Sequence, residues 1–150
     1  MNIKICEESK RFDIIYGKFN QMYHNIASKL GIPDTVFWLL RRLCEMEMEY
    51  TQNNLAEICG IPKQTINSAV ATYIEKGYFM VEKIPESKNS KKVCLTDKGR
   101  EFCKENIIPI IEAENYAYSR FTEEELTIFF RVLETKLDYI KEKIGDKYQL

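Results

Sequence analysis

The sequence has little of what most enzymes and metalloproteins need. It contains a single histidine, and its five cysteines form no C-x-x-C pair, so a Cys/His zinc site is poorly supported. Neither a glycine-rich phosphate loop nor a G-x-S-x-G turn occurs among its six glycines. The sequence therefore has few of the residue patterns that enzyme active sites use, and we expect no catalytic residues, no cofactor and no metal.

Long apolar segments are also missing. No apolar run approaches the roughly 20 residues of a membrane-spanning helix, and the first residues, MNIKICEESKR, lack the apolar stretch of a signal peptide. The odd number of scattered cysteines does not suggest a secreted disulfide framework. We therefore expect a cytoplasmic protein with no membrane partner. A chain of 150 residues can bury one real core, which predicts a single domain over residues 1–150.

Charge is distributed unevenly although the net charge is only −1. Residues 51–100 hold eight Lys and Arg against five Asp and Glu, residues 101–150 hold seven against eleven, and residues 1–50 are balanced. Positive charge is thus concentrated on the central segment. That distribution is typical of a surface that contacts phosphates.

The central segment begins with a pattern of two short helices joined by a tight turn. Thr51 suits a helix N-cap, Gly60 suits the left-handed residue at a helix C-terminus, and Pro62 suits the start of the next helix. In the second helix, apolar spacing predicts a buried stripe of Ile66, Val70, Tyr73 and Ile74. The outer face is left polar, as a helix that reads the major groove requires. Its candidate DNA contacts are Lys63, Gln64, Thr65, Asn67, Ser68 and Thr72.

The pattern changes period after Gly77. Residues 78–83 and 91–95 are β-type runs, and the turn-rich residues 84–90 lie between them. Together they predict a β-hairpin with a polar tip, and helix-turn-helix followed by such a hairpin is the winged-helix arrangement. The lysines of the hairpin are candidate phosphate contacts; they are Lys88, Lys91 and Lys92.

Both ends of the chain predict long amphipathic helices. Residues 8–30 have a wide apolar face, and a helix from Thr96 or Asp97 is expected to be interrupted near Pro109. Thr122 and Glu125 have the spacing of a capping box. The last helix has a nearly heptad apolar stripe, which consists of Leu126, Phe129, Phe130, Leu133, Leu137, Ile140 and Ile144. One small lobe cannot cover this much apolar surface, so the pattern predicts a homodimer joined through both terminal helices.

The segment KQTINSAVATYIEKGYF, followed by a hairpin and VCLTDKG, resembles the DNA-binding lobe of the MarR family of transcriptional regulators. The resemblance covers nearly the whole chain. It implies a mainly α fold with a small β-hairpin (α+β), in which a winged helix-turn-helix lobe at about 34–100 lies between dimerisation helices at about 8–30 and 101–145. It also implies a homodimeric repressor that binds a pseudo-palindromic operator in double-stranded DNA and is released by a small effector.

Two details of the resemblance bear on the site. Family wings usually carry an Asp-x-Arg pair, and Ser87 and Asn89 stand at those positions, so we expect the neighbouring lysines to supply phosphate contacts instead. The family also implies a cleft for small aromatic effectors. Tyr16, His24 and Trp38 are the candidates for that cleft, and the alternative is that they are ordinary core and interface aromatics.

The cysteines leave a further possibility open. One branch of the family senses organic hydroperoxides through a cysteine early in the first helix; that position falls near Ser9, about one turn from Cys6, which makes Cys6 the redox candidate. The cysteines within apolar patterns are expected to be inert. Two alternatives to a ligand-released repressor therefore stay open: a thiol-based redox regulator, and a winged-helix module that binds proteins and has no DNA site of its own.

Overall fold

The computed structural model describes residues 3–44, 49–84 and 90–148, without the side chain of residue 146. In chain order the elements are α1 Glu7–Lys29, α2 Asp34–Leu43, α3 Gln52–Cys59, α4 Lys63–Glu75, β1 Phe79–Lys83, β2 Lys91–Leu95, α5 Asp97–Asn106, α6 Ile108–Tyr118 and α7 Glu123–Tyr148. They fall into two compact units, Met1–Pro109 and Ile110–Leu150. Within the described ranges, no helix combines the length and the apolar character needed to cross a membrane.

The core of the first unit is built around α2. Four of its ten residues are buried, and it contacts α1, α3, α4, α5 and β2. Each neighbouring element supplies one to three apolar side chains to this core, as expected for short amphipathic helices that bury one face. The largest fully buried side chains include Phe37, Leu39, Leu40, Leu55, Ile66, Phe79 and Ile107.

The two strands form an antiparallel hairpin in the predicted place. The register runs from Phe79 opposite Leu95 to Lys83 opposite Lys91. The Val93 N–H donates to the Tyr50 carbonyl oxygen at 2.8 Å, which fastens the hairpin to the segment before α3. Phe79, Val93 and Leu95 are buried, so the base of the hairpin belongs to the core while its far end extends into solvent.

The first helix exposes most of its apolar surface in the isolated chain. Ala27 is its one buried residue among 23. The exposed apolar side chains of α1 are Phe12, Ile14, Ile15, Tyr16, Phe19 and Met22. A helix with this much uncovered apolar surface is unusual in a monomer.

The last helix shows the same surplus more strongly. Its predicted capping box is confirmed: the Thr122 N–H donates to Glu125 Oε2 at 2.8 Å, and the Glu125 N–H donates to Thr122 Oγ1 at 3.2 Å. The Glu125 carboxylate accepts from the Thr122 N–H and from the Thr122 hydroxyl, and these two bonds hold the pKa of the carboxyl below its usual value. None of the α7 residues whose side chains are described is buried. Its apolar side chains therefore remain accessible to solvent in the part of the chain that the structure describes.

The long helix expected after the hairpin is divided. It ends at Asn106, and α6 begins at Ile108, so the predicted interruption near Pro109 is confirmed. Pro109 lies in the first turn of α6, where a missing N–H costs no helical hydrogen bond. The structure thus has the predicted fold class, mainly helical with one small β-hairpin and long helices at both ends.

Candidate functional site

The turn before α4 sets the direction of that helix. Thr51 caps α3, since its side chain accepts from the Asn54 N–H at 3.2 Å and the Asn54 side chain accepts in return from the Thr51 N–H. Gly60 ends α3 with φ 62°, the left-handed conformation that glycine adopts without a Cβ penalty. Pro62 is the N-cap of α4, one position earlier than the first turn that the sequence suggested.

Burial along α4 separates a core face from an outer face. Ile66, Val70 and Tyr73 are buried as predicted, but Ile74 is 37% exposed, so its assignment to the buried stripe was wrong. The polar residues named as DNA contacts lie toward the other side. Lys63, Gln64, Thr65, Ser68 and Thr72 are exposed, and Asn67 is partly buried. We call α4 the reading helix and its exposed polar side the reading face.

The polar groups of the reading face differ in how they are already bonded. Ser68 Oγ donates to the Gln64 carbonyl oxygen at 3.0 Å, and Thr72 Oγ1 donates to the Ser68 carbonyl oxygen at 2.9 Å. Each hydroxyl has one hydrogen, so either side chain must rotate before it can donate to a phosphate. Within the described part of the chain, the side chains of Lys63 and Gln64 have no such bonds to break.

Asn67 stands apart from the other members of the set. Its Oδ1 atom is buried and has no hydrogen-bond partner among the described residues. A buried acceptor without a partner costs about 1–3 kcal/mol, and most native structures avoid it. Among the described residues of the reading helix, Asn67 Oδ1 is therefore the buried side-chain atom that lacks a hydrogen-bond partner.

The lysines of the hairpin, which we call the wing, are not equivalent. Lys91 is exposed, whereas Lys92 Nζ lies 2.8 Å from Glu49 Oε1 and 3.7 Å from Glu82 Oε2. The hydrogen bond to Glu49 holds the pKa of Lys92 above its usual value. The charge of Lys92 is thus already compensated, which weakens its prediction as a phosphate contact. Lys88 lies outside the described residues.

The junction of the reading helix, the wing and α5 shows what Thr96 and Gly99 contribute in the segment VCLTDKG. Thr96 Oγ1 donates to the Gly77 carbonyl oxygen at 2.6 Å and accepts from the Gly99 N–H at 3.1 Å, so one hydroxyl joins the end of α4 to the start of α5. A Cβ on Gly99 would overlap the Tyr78 carbonyl oxygen. Only glycine allows this approach. The motif is therefore a device that fixes the wing relative to the reading helix.

Among the residues that the structure describes, the three effector candidates do not line one cavity. His24 and Trp38 line a cavity of about 100 Å³ between α1 and α2, together with Asn20, Tyr23, Asp34 and Phe37. His24 Nδ1 lies 3.0 Å from Asp34 Oδ2 in an exposed pair. Tyr16 lines no part of it; its ring stacks on Phe12 with centroids 5.9 Å apart. Ligand pockets usually have about 300–1,000 Å³, so this cavity alone is too small for most effectors.

The cysteines fall into three classes of accessibility: exposed, half-buried (Cys44, Cys59 and Cys94) and buried. All five lie in the described part of the chain, and none is in a disulfide. Cys6 is the exposed N-cap of α1, and Cys103 is buried. A hydrogen bond with the Cys44 thiol, together with burial, raises the pKa of the Cys103 thiol far above its usual value. Burial likewise raises the pKa of Cys94.

Thiol labelling should separate these classes. We expect Cys6 to react with iodoacetamide faster than the other four cysteines, because it is the exposed one. Cys103 should react only when the protein unfolds, since a raised pKa leaves few thiolates and burial blocks access. Mass spectrometry of timed samples measures both rates. Cys6→Ser should remove the fast phase; rapid labelling of Cys103 in the native protein would contradict this assignment.

The sequence did not predict that Lys83 or the groove beside the wing belongs to the candidate site. That groove, of about 480 Å³, is lined by Thr51, Gln52, Asn53, Ala71, Ile74, Val81, Ser90 and Lys91. The signal for Lys83 was its place at the end of the first β-type run. Its significance depends on the register of the strands, which places it opposite Lys91.

Comparison with solved structures identifies the fold. No protein-family model matches the sequence, and no protein with a curated description is significantly similar to it. A MarR family regulator from Neisseria meningitidis has 15% identity and a TM-score of 0.76, over 95% of this chain and 99% of that one. The transcription regulator MarR from Oenococcus oeni PSU-1 has 14% identity and a TM-score of 0.73, over 88% and 99% of the two chains. S. aureus MepR, in a complex with DNA, has 18% identity and a TM-score of 0.66, over 91% and 99%.

At these identities the likeness concerns the fold. The predicted fold, a winged helix-turn-helix between long terminal helices as in MarR family regulators, is confirmed. The two MarR neighbours match over 88% and 95% of this chain and over 99% of their own.

Proposed function

We propose that this chain is a sequence-specific DNA-binding transcriptional regulator that acts as a homodimer. The observation that carries the proposal is the exposed polar reading face beside a wing that carries exposed lysines. A helix of this kind fits the major groove, where amide and ammonium groups can bond to base edges. The DNA complex of MepR, which has the same fold, supports this use of the surface.

The dimer is part of the proposal because one lobe carries only a small excess of positive charge with which to bind phosphates. The central segment carries an excess of three positive charges, and a symmetric dimer doubles it. Two reading helices about 34 Å apart meet successive major grooves on one side of the duplex. The exposed apolar surfaces of α1 and α7 can form the interface of such a dimer. The protected site should then be a pseudo-palindrome with half-sites roughly one turn apart.

We further propose that the protein is a repressor released by a small aromatic effector bound near His24 and Trp38. The support is the aromatic lining of the α1–α2 cavity, with Tyr23 and Trp38 ring centroids 5.0 Å apart. Since that cavity is small, an effector site of ordinary size needs walls from a second copy of the chain. Effector-dependent loss of operator binding, with the loss reduced in Trp38→Ala, tests this part.

Footprinting on the DNA that flanks its own gene, followed by a salt titration, tests the main proposal. Phosphate contacts make the logarithm of the binding constant fall linearly with the logarithm of salt concentration. A flat salt response together with no protected site would favour the protein-interaction alternative. Loss of binding on peroxide treatment in the wild type but not in Cys6→Ser would favour the redox alternative.

Substitutions on the reading face should separate base contacts from phosphate contacts. We expect Gln64→Ala to cost about 1–3 kcal/mol of operator affinity and to relax preference at one position per half-site, because an amide that pairs with a base is lost. Asn67→Ala should lower affinity without lowering thermal stability, since it removes an unsatisfied buried acceptor. Binding to operator and random duplexes, with Glu101→Ala on α5 as control, measures this.

If Gln64→Ala and Asn67→Ala both bind operator and random duplex as the wild type does, α4 is not the reader. In that case the wing or another surface would have to carry the specificity, or the protein-interaction alternative would lead.

A further inference from the structure

The wing contains two neighbouring cross-strand pairs of opposite electrostatic character. Glu82 faces Lys92, and the two side chains approach to 3.7 Å between Oε2 and Nζ. The next pair toward the tip is Lys83 facing Lys91, two like charges directly across the ladder. Like charges at opposed positions destabilise an antiparallel pair. The hairpin is therefore complementary at one rung and repulsive at the next.

The repulsive pair is uncompensated as well as exposed. Both Lys83 and Lys91 are exposed, and neither is in an ion pair or side-chain hydrogen bond within the described residues. Lys92, in contrast, is bonded to Glu49 and lies near Glu82. An anion placed between two such ammonium groups relieves their repulsion and gains attraction from both.

The position of Lys83 and Lys91 indicates which molecule the anion belongs to. Lys91 borders the groove beside the wing, whose other walls include Ala71 and Ile74 of the reading helix. Ala71 follows Asn67 by one helical turn. A nucleic-acid strand that runs past the reading face toward the wing therefore passes this groove. The groove volume of about 480 Å³ is open enough to admit a phosphodiester group.

We propose that Lys83 and Lys91 together clamp one backbone phosphate of duplex DNA in each protomer, and that Lys92 is a positioning residue that does not touch DNA. The inference rests on the proposed function and refines its phosphate-binding surface. It adds Lys83, and it reassigns Lys92 to the attachment of the wing, where its bond to Glu49 acts beside the hydrogen bond from the Val93 N–H to the Tyr50 carbonyl oxygen.

Salt titrations of binding to a mixed-sequence duplex test the assignment, because phosphate contacts do not depend on sequence. The double variant Lys83→Ala/Lys91→Ala should make the salt slope shallower by about two units, one per protomer. Both lysines hold the same phosphate, so their effects should not be independent. The fold-losses in affinity of the two single variants, multiplied together, should exceed the fold-loss of the double variant. Lys92→Ala should keep the wild-type slope while its melting temperature falls.

A charge reversal separates a DNA contact from a structural role, because it should lower duplex affinity without lowering the melting temperature. Lys83→Glu replaces the repulsive pair by an attractive one, so the protein should melt at the same or a higher temperature. Its duplex affinity should nevertheless fall about tenfold or more at low salt, because the phosphate then meets a carboxylate. Loss of binding together with loss of stability would instead indicate a disturbed hairpin and overturn the clamp.

The outcomes distinguish this inference from the proposed function. If the wild type binds duplex with a steep salt slope and the double variant keeps that slope, the clamp is wrong and the proposed function stands. A slope reduced in Lys92→Ala as much as in Lys91→Ala would also overturn the division of roles. If the wild type itself shows no salt-dependent binding, the proposed function fails and the clamp fails with it.

Discussion

Gly99→Ala is expected to destabilise the protein by roughly 3 kcal/mol or more, which lowers the melting temperature of a chain of this size by roughly 6–12 °C. The added methyl group would overlap the Tyr78 carbonyl oxygen and lie 3.2 Å from Leu95 Cδ2. The carbonyl cannot move away freely, because it accepts from the Thr96 N–H at 3.0 Å. Relief requires α5 to separate from the end of the reading helix.

Gly60→Ala is the matched control for this prediction. Gly60 has a left-handed backbone, φ 62°, but among the described residues nothing lies within 4 Å of an added Cβ. Alanine there should cost about 1 kcal/mol through backbone strain alone. Melting curves at one fixed protein concentration compare the two, and Glu101→Ala, on an exposed position of α5, should change little. A larger cost at Gly60 than at Gly99 would contradict the close approach described for the junction.

Phe129→Glu/Leu133→Glu is expected to convert the protein to monomers or to insoluble material. Phe129 is 49% exposed and Leu133 is partly exposed in the single chain, so neither substitution empties a core. In the proposed dimer both sites are covered, and a carboxylate buried there without a partner costs several kcal/mol per site. Four such sites in a dimer exceed what an interface of ordinary size can absorb. Sedimentation velocity at micromolar concentration measures the state.

The heptad spacing of α7 supplies the control. Leu126, Phe130, Leu133, Leu137, Ile140 and Ile144 follow one another at alternating steps of four and three residues, the period of a coiled-coil seam. Phe129 lies three residues after Leu126 and four before Leu133, so it belongs to the same side of the helix. Glu142 lies off that seam, so Glu142→Lys should remain dimeric. If the wild type sediments as a monomer, the assignment of both terminal helices to an interface is wrong, whatever the variant does.

Most of the fold could be predicted from local patterns in the sequence. The caps at Thr51 and Thr122 and the left-handed Gly60 depend on residues within four positions of one another. The hairpin was placed from alternation and turn residues. Such features are predictable because backbone geometry and hydrogen bonding near each residue decide them.

Features that depend on tertiary contacts could not be predicted from the sequence. Ile74 fits a helical apolar stripe, but it lies at the edge of the groove beside the wing, where nothing covers it fully. Lys92 looked equivalent to Lys91 until the fold placed Glu49, 43 positions away, against it. The position of Tyr16 of α1 relative to Trp38 of α2 is likewise set by how the two helices pack. The roles of the candidate DNA-contact residues stay predictions.

The aromatic residues give the first unit two separate optical reporters. Trp38, the single tryptophan, lies 5.0 Å from the Tyr23 ring and 5.3 Å from the Phe37 ring, between α1 and α2. The junction of reading helix, wing and α5 has tyrosines instead: Tyr78 is 5.7 Å from Tyr73 and 5.5 Å from Phe102. Fluorescence excited at the indole band therefore follows the α1–α2 contact, while the part of the tyrosine circular dichroism that is lost in Tyr78→Phe follows the wing junction. Coincident denaturation curves from the two signals would identify a single cooperative unit, and a lag between them would reveal which of the two regions yields first.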